Sequence, residues 1–128
     1  MYEKLIKLLK NSYSPYSNFA VAAILKDKDG KEWNGVNVEN AAYPSGLCAE
    51  RSALFGAISY GFKAKEITEI HIISKSDNYI SPCAGCRQVM TELMPLDGKV
   101  YQYTNDGKYR LNTVLELVPF PIQEEDIK

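Results

Sequence analysis

Thr68-Glu69-Ile70-His71-Ile72-Ile73-Ser74 alternates along its length and is rich in β-branched residues, so it predicts a strand. The stretches on either side are helix-like. Before it, Cys48 to Tyr60 carries an apolar stripe of Ala53, Leu54, Ala57 and Ile58, and Gly61 stands where a C-terminal cap belongs. After it, Pro82 opens a second helix with Val89, Met90, Leu93 and Met94 as its buried face, and Pro95 ends it. Lys99 to Thr104 predicts another strand, Asn105-Asp106-Gly107 a turn, and Thr113 to Val118 a last strand. Toward the N-terminus, Phe19 to Lys26 and Lys31 to Val38 read as a hairpin about the turn Asp27-Lys28-Asp29-Gly30. Asn11 to Asn18 and Asn40 to Leu47 read as loops, and Tyr2 to Lys10 as a short amphipathic helix. Helices alternate with strands in the order α-β-β-α-β-α-β-β. The expected fold class is therefore α/β: a layered domain with a mixed sheet, its last two strands antiparallel because no crossover helix fits between them.

The chain has 128 residues, the length of one ordinary domain, and one domain is expected over 1–128. Apolar residues make up 45% and charged residues 24%, a globular composition and not a disordered one. Fifteen Lys and Arg against sixteen Asp and Glu leave a formal charge of −1, which argues against nucleic acid as a partner. The longest apolar run, Phe19 to Leu25, is far short of the ~20 residues of a membrane span. Met1 to Lys7 interleaves charge with apolar residues, unlike a secretory signal. Three Cys, an odd number, fit metal-bound or reactive thiols in a cytoplasmic protein better than a disulfide framework.

The cysteines carry the chemistry. Cys83 and Cys86 lie three apart at the predicted start of one helix, and Cys48 starts the other. Exposed N–H groups and the helix dipole favour thiolates there. A structural zinc is normally closed by four protein ligands, whereas a catalytic zinc keeps one position open. The one histidine, His71, lies within a strand and reads as a hydrogen-bonded strand residue. Thiolates select zinc or iron–sulfur; a three-Cys cluster stays open, and the acid Glu50 beside Cys48 favours zinc. Glu50 suits either a proton carrier at a metal-bound water or a carboxylate that complements a helix N-terminus. Arg51, three residues after Cys48, suits either a hydrogen bond to sulfur that offsets the thiolate charge or an ordinary surface arginine.

Three linked stretches, Asn37-Val38-Glu39-Asn40-Ala41-Ala42-Tyr43-Pro44, Cys48-Ala49-Glu50-Arg51 and Pro82-Cys83-Ala84-Gly85-Cys86-Arg87-Gln88-Val89, resemble the small homotetrameric cytidine deaminases. The likeness runs from about Ser14 to Met94 and weakens toward the C-terminus. It implies a three-layer α/β/α fold with a five-stranded mixed sheet, and one zinc ion per subunit held by Cys48, Cys83 and Cys86. It implies hydrolytic deamination of cytidine and deoxycytidine, with Glu50 carrying protons from the attacking water to the pyrimidine N3 and the leaving ammonia. Asn37 and Glu39 would hold the ribose hydroxyls, the Ala49 N–H would meet the base O2, and Phe19 would pack on the pyrimidine. Tyr43 would line a site shared between neighbours in a homotetramer. The chain departs from the family at Ala22, where glycine is usual. It departs again at Ile122, which takes the place of a C-terminal aromatic, with Phe120 two residues earlier. A polynucleotide editor, a deaminase of a cytosine-containing antibiotic nucleoside and a non-catalytic zinc-stabilised domain are the competing readings. Balanced charge opposes the first, the ordinary set Asn37, Glu39 and Arg51 the second, and Glu50 beside an incomplete ligand set the third.

Overall fold

A computed structural model describes residues 1–127. The hairpin strands β1 (Val21–Asp27) and β2 (Glu32–Val36) form where the β-prone run predicts them. Gly30, at φ +83°, closes the turn, and Asp27 Oδ1 accepts from the N–H groups of Asp29 and Lys31. β3 (Ile67–Ser74), β4 (Lys99–Tyr103) and β5 (Tyr109–Thr113) complete a sheet of order β2-β1-β3-β4-β5. Only β3 and β4 run parallel, and the helix α3 (Ala84–Leu93) provides the crossover that a parallel pair requires. β4 and β5 are antiparallel, as expected.

Alternation along β1 sorts its side chains into two layers. Ala22 and Ile24 face α1 (Tyr2–Leu9) and pack with Leu5, Leu9 and Ile73. Ala23 and Leu25 face α2 (Ala49–Ser59) and α3, packing with Ala53, Leu54, Ile70, Ile72 and Met90. Helices cover both faces, so the three-layer arrangement is present. Each fully buried Leu or Ile, such as Leu54, contributes about 1.5–3 kcal/mol. Ala22 is fully buried, its methyl absorbed into the α1 layer. His71 also lies on the α1 face, stacked on Tyr101 with ring centroids 4.3 Å apart. Its ring nitrogens contact Tyr103 Oη at 2.9 Å and Glu69 Oε1 at 2.8 Å, and burial holds its pKa below the ordinary value.

Two expectations are corrected. The last strand is not Thr113 to Val118: β5 ends at Thr113, and Val114–Leu117 forms a short helix, α4. The cause is a reciprocal capping box. Thr113 Oγ1 accepts from the Glu116 N–H at 3.1 Å, and Glu116 Oε1 accepts from the Thr113 N–H at 2.8 Å. The stripe of α2 also excludes Ile58, which is 38% exposed. It runs instead through Ala49, Ala53 and Ala57, one turn apart, and on to Phe62 beyond the cap. Gly61, at φ +98°, ends the helix by donating to Ile58 O, while the Phe62 N–H donates to Ala57 O.

The α2 start is set against the sheet by a close approach. A Cβ on Gly35 of β2 would lie 2.4 Å from Ala53 N and 2.6 Å from Ala49 O. Both are backbone atoms and cannot rotate away. Gly35→Ala is therefore expected to destabilise the fold by about 2–4 kcal/mol and to shift the first turn of α2. Urea unfolding checks this; an unchanged midpoint would contradict it.

Candidate active site

The starts of α2 and α3 meet. Cys48 is the N-cap of α2 and Cys83 the N-cap of α3; Cys86 lies in the first turn of α3. Each N-cap position thus holds a thiol in place of the usual capping oxygen. Cys48 Sγ lies 4.0 Å from Cys83 Sγ, and Cys83 Sγ 3.5 Å from Cys86 Sγ. All three sulfurs fall within 4.8 Å of one another, the one such group of three or more donors among the described residues. Three sulfurs on a tetrahedral zinc at ~2.3 Å stand about 3.8 Å apart, so the spacing fits. The soft donor set fits zinc as well. His71 belongs to the opposite layer and to no such group.

The electrostatics suit a cation. Burial, then the neighbouring Glu50 charge, pushes the Cys86 thiol far above its ordinary range. Burial acts in the same sense on Cys83, but hydrogen bonds from the Cys86 backbone and side chain and from Cys48 outweigh it and leave that thiol lowered. Arg51 Nη2 donates to Cys48 Sγ at 3.1 Å, and bonds to Cys48 and Cys86 raise the guanidinium pKa further. Arg51 Nε is buried without a hydrogen-bond partner. Glu50 is 6% exposed, and burial raises its pKa against a smaller lowering by backbone and Cys86 hydrogen bonds and by Arg51.

A cavity of about 640 Å³ opens over these groups, a size that suits a nucleoside-scale ligand. Cys48, Ala49, Glu50, Arg51 and Cys83 line it, together with Asn37, Glu39 and Tyr43. Asn37 Oδ1 accepts from the Val21 N–H at 2.9 Å and from Ser12 Oγ at 2.5 Å, while Nδ2 donates to Phe19 O at 2.8 Å. Glu39 Oε1 accepts from the N–H groups of Tyr16 and Ser17, and Oε2 from Ser17 Oγ. Those bonds, the Ser17 hydroxyl first, hold the Glu39 carboxyl below the usual carboxylate range. Tyr43 is 76% exposed and meets Tyr16 edge-on.

Phe19 is not on the cavity wall. It lies half-exposed, and Val21, two residues on, lines the cavity instead, together with Ile72 and Ile80. Sequence reasoning missed these three; the alternation of β1 and β3 was the available signal for Val21 and Ile72. Phe120 and Ile122 are exposed and outside this cavity, and Gln88 Nε2 donates to Ile122 O at 3.1 Å.

Comparison with known proteins agrees with this geometry. The family described as "Cytidine and deoxycytidylate deaminase zinc-binding region" matches residues 1–102. The chain is 42% identical to a cytidine deaminase of Halalkalibacterium halodurans over 95% of its own length and 91% of that relative. It is 36% identical to one from Sporosarcina psychrophila, covering 98% and 93%. The crystal structure of a cytidine deaminase from Burkholderia pseudomallei superposes with a TM-score of 0.90 at 38% identity, over 94% of this chain and 95% of that one. The matched family region is a zinc-binding one, and the three-thiol cluster suits one zinc ion. By sequence, by fold and by the donors gathered at two helix starts, the chain belongs to the zinc-binding cytidine and deoxycytidylate deaminase family.

Proposed function

We propose that this enzyme hydrolyses cytidine and deoxycytidine to uridine and deoxyuridine, releasing ammonia. One observation carries the reading: Glu50, nearly buried, lines the same cavity as the ligand thiols Cys48 and Cys83. Zinc, when held by Cys48, Cys83 and Cys86, supplies Lewis acidity and lowers the pKa of a water in its open position. Glu50 takes a proton from the attacking water as its oxygen bonds to C4 of the pyrimidine, and delivers that proton to N3. It then carries the water's second proton to the amino nitrogen as the C4–N bond breaks, so ammonia leaves and the 4-oxo base remains. The carboxylate ends as it began. Its burial suits this task, because a site poor in water keeps the carried proton on the reaction path.

The other residues bind and balance. Arg51, bonded to Cys48 Sγ, offsets the negative charge of the thiolate set. The Ala49 N–H, at the start of α2, holds the base O2. Asn37 and Glu39, which line the same cavity, hold the ribose hydroxyls, and the Glu39 carboxylate suits a hydroxyl donor. Val21 and Ile72, which line the cavity where Phe19 does not, offer the apolar surface for the pyrimidine face. Tyr43 closes a site shared between neighbouring subunits of a homotetramer; its exposure, and that of Phe120 at 96%, support surfaces that a neighbour covers. The whole chain acts as one domain, in the cytoplasm, where thiol ligands stay reduced. Free nucleosides rather than nucleic acid are its substrates, in keeping with a formal charge of −1.

The test is a nucleoside panel on zinc-loaded protein. Equimolar ammonia release with loss of absorbance near the cytidine maximum is expected for both nucleosides. Zinc-loaded protein that leaves both untouched refutes the reading.

A further inference from the structure

Among the described residues, no backbone–backbone hydrogen bond holds Tyr79, Ile80 or Ser81. Yet this segment does two things. Ile80 lines the cavity, and Ser81 stands two residues before Cys83. What holds it comes from the far edge of the sheet.

Gln102 of β4 is fully buried, among residues that are otherwise mostly apolar. In the β3–β4 register it pairs with Ile72, so its side chain shares the sheet face of that cavity-lining residue. A buried amide is costly unless both its ends are satisfied. Here they are. Gln102 Nε2 donates to Asn112 Oδ1 at 3.0 Å, and Oε1 accepts from Arg110 Nη2 at 2.5 Å and from Ser81 Oγ at 3.2 Å. Arg110 lies directly opposite Gln102 in the β4–β5 register. Its Nη2 also donates to Ser81 Oγ at 2.9 Å, and its guanidinium stands 5.3 Å from the Tyr79 ring centroid. One cation on the edge strand therefore grips the segment on both sides of Ile80.

We infer that Arg110 is a positioning residue: acting with Gln102 through Ser81 and Tyr79, it fixes segment 79–81 and so sets the wall that Ile80 presents to the substrate. The inference rests on the proposed deaminase reading and deepens it. Arg110 does not line the cavity, so its effect on substrate must pass through Ile80. A valine or isoleucine at 102 would fill the layer without a polar network; glutamine there makes sense as the buried root of the clasp. A network serving only the β4–β5 hairpin would have no reason to reach Ser81 and Tyr79.

The test is a double-mutant cycle on the zinc-loaded protein, with Arg110→Ala, Ile80→Ala and the pair. Arg110 is exposed, so its replacement leaves the fold standing. Arg110→Ala is expected to raise KM for cytidine about tenfold with kcat within about twofold and zinc content unchanged. In the Ile80→Ala background the same replacement should change KM less than about twofold, because the wall it positions is gone. Ser81→Ala should move KM in the same direction as Arg110→Ala. The backbone order parameters of Tyr79, Ile80 and Ser81 should fall in Arg110→Ala, a readout independent of turnover. An unchanged KM, an Arg110 effect that persists in full without the Ile80 side chain, or unchanged order parameters at 79–81 overturns the inference. An inactive wild-type protein overturns the deaminase reading and this inference together; active wild-type protein with any of those three results overturns this inference alone.

Discussion

Glu50→Gln is expected to keep zinc at the wild-type level and to lower kcat at least about 10³-fold. The substitution preserves shape and removes only the capacity to take up and release a proton. General acid–base catalysis by a positioned side chain contributes roughly 10²–10⁴-fold, and here one carboxylate serves two proton transfers. The thiols are untouched, so metal retention is the internal control. Stability should not fall. Burial raises the pKa of Glu50, which means the site disfavours its charge, and a neutral amide relieves that strain. The checks are zinc per chain, the thermal midpoint and kcat on one preparation. A variant that keeps zinc and turns over within tenfold of wild type removes Glu50 from the proton path.

Cys86→Ala is expected to lose both the metal and the activity. Cys86 is the buried member of the set and joins the first turn of α3 to the cluster. Without it only Cys48 and Cys83 remain, 4.0 Å apart, and two thiolates do not complete a zinc site. Zinc content should fall below about one-tenth of wild type, and turnover below detection. The thermal midpoint should fall too, because an ion that binds only the folded chain stabilises it by mass action. Chelation separates the causes. Wild-type protein stripped of zinc should unfold within a few degrees of the variant, since loss of one small sulfur atom costs only about 1 kcal/mol by itself. Retention of near-stoichiometric zinc by Cys86→Ala would contradict the assigned ligand set.

Much of the site was legible because its chemistry rests on residue type and short spacing. Cys83 and Cys86 share one helix turn wherever that helix goes, and Arg51 reaches Cys48 by the same rule. The hairpin was legible from Asp27 to Gly30, whose turn is closed by local bonds. What escaped depends on partners far along the chain, or on two signals in conflict. Val114, Leu115, Leu117 and Val118 suit a strand by composition, and the capping pair Thr113 and Glu116 decides for helix. Asn37 read from sequence as a sugar contact; its amide also ties Phe19 and Val21 to the end of β2, across 18 and 16 residues. Ile80 sits in a loop with no periodicity. Its place on the cavity wall follows from a network that needs the β4–β5 register, which no local pattern specifies.

X-ray absorption at the zinc edge of the loaded enzyme tests the arrangement most directly. Three sulfur scatterers and one oxygen or nitrogen scatterer are expected, with the light atom's signal changing when a hydrated-pyrimidine transition-state mimic is added. Four sulfurs, or a histidine signature with no response to the mimic, would mean a closed structural ion, and the deaminase account would fall.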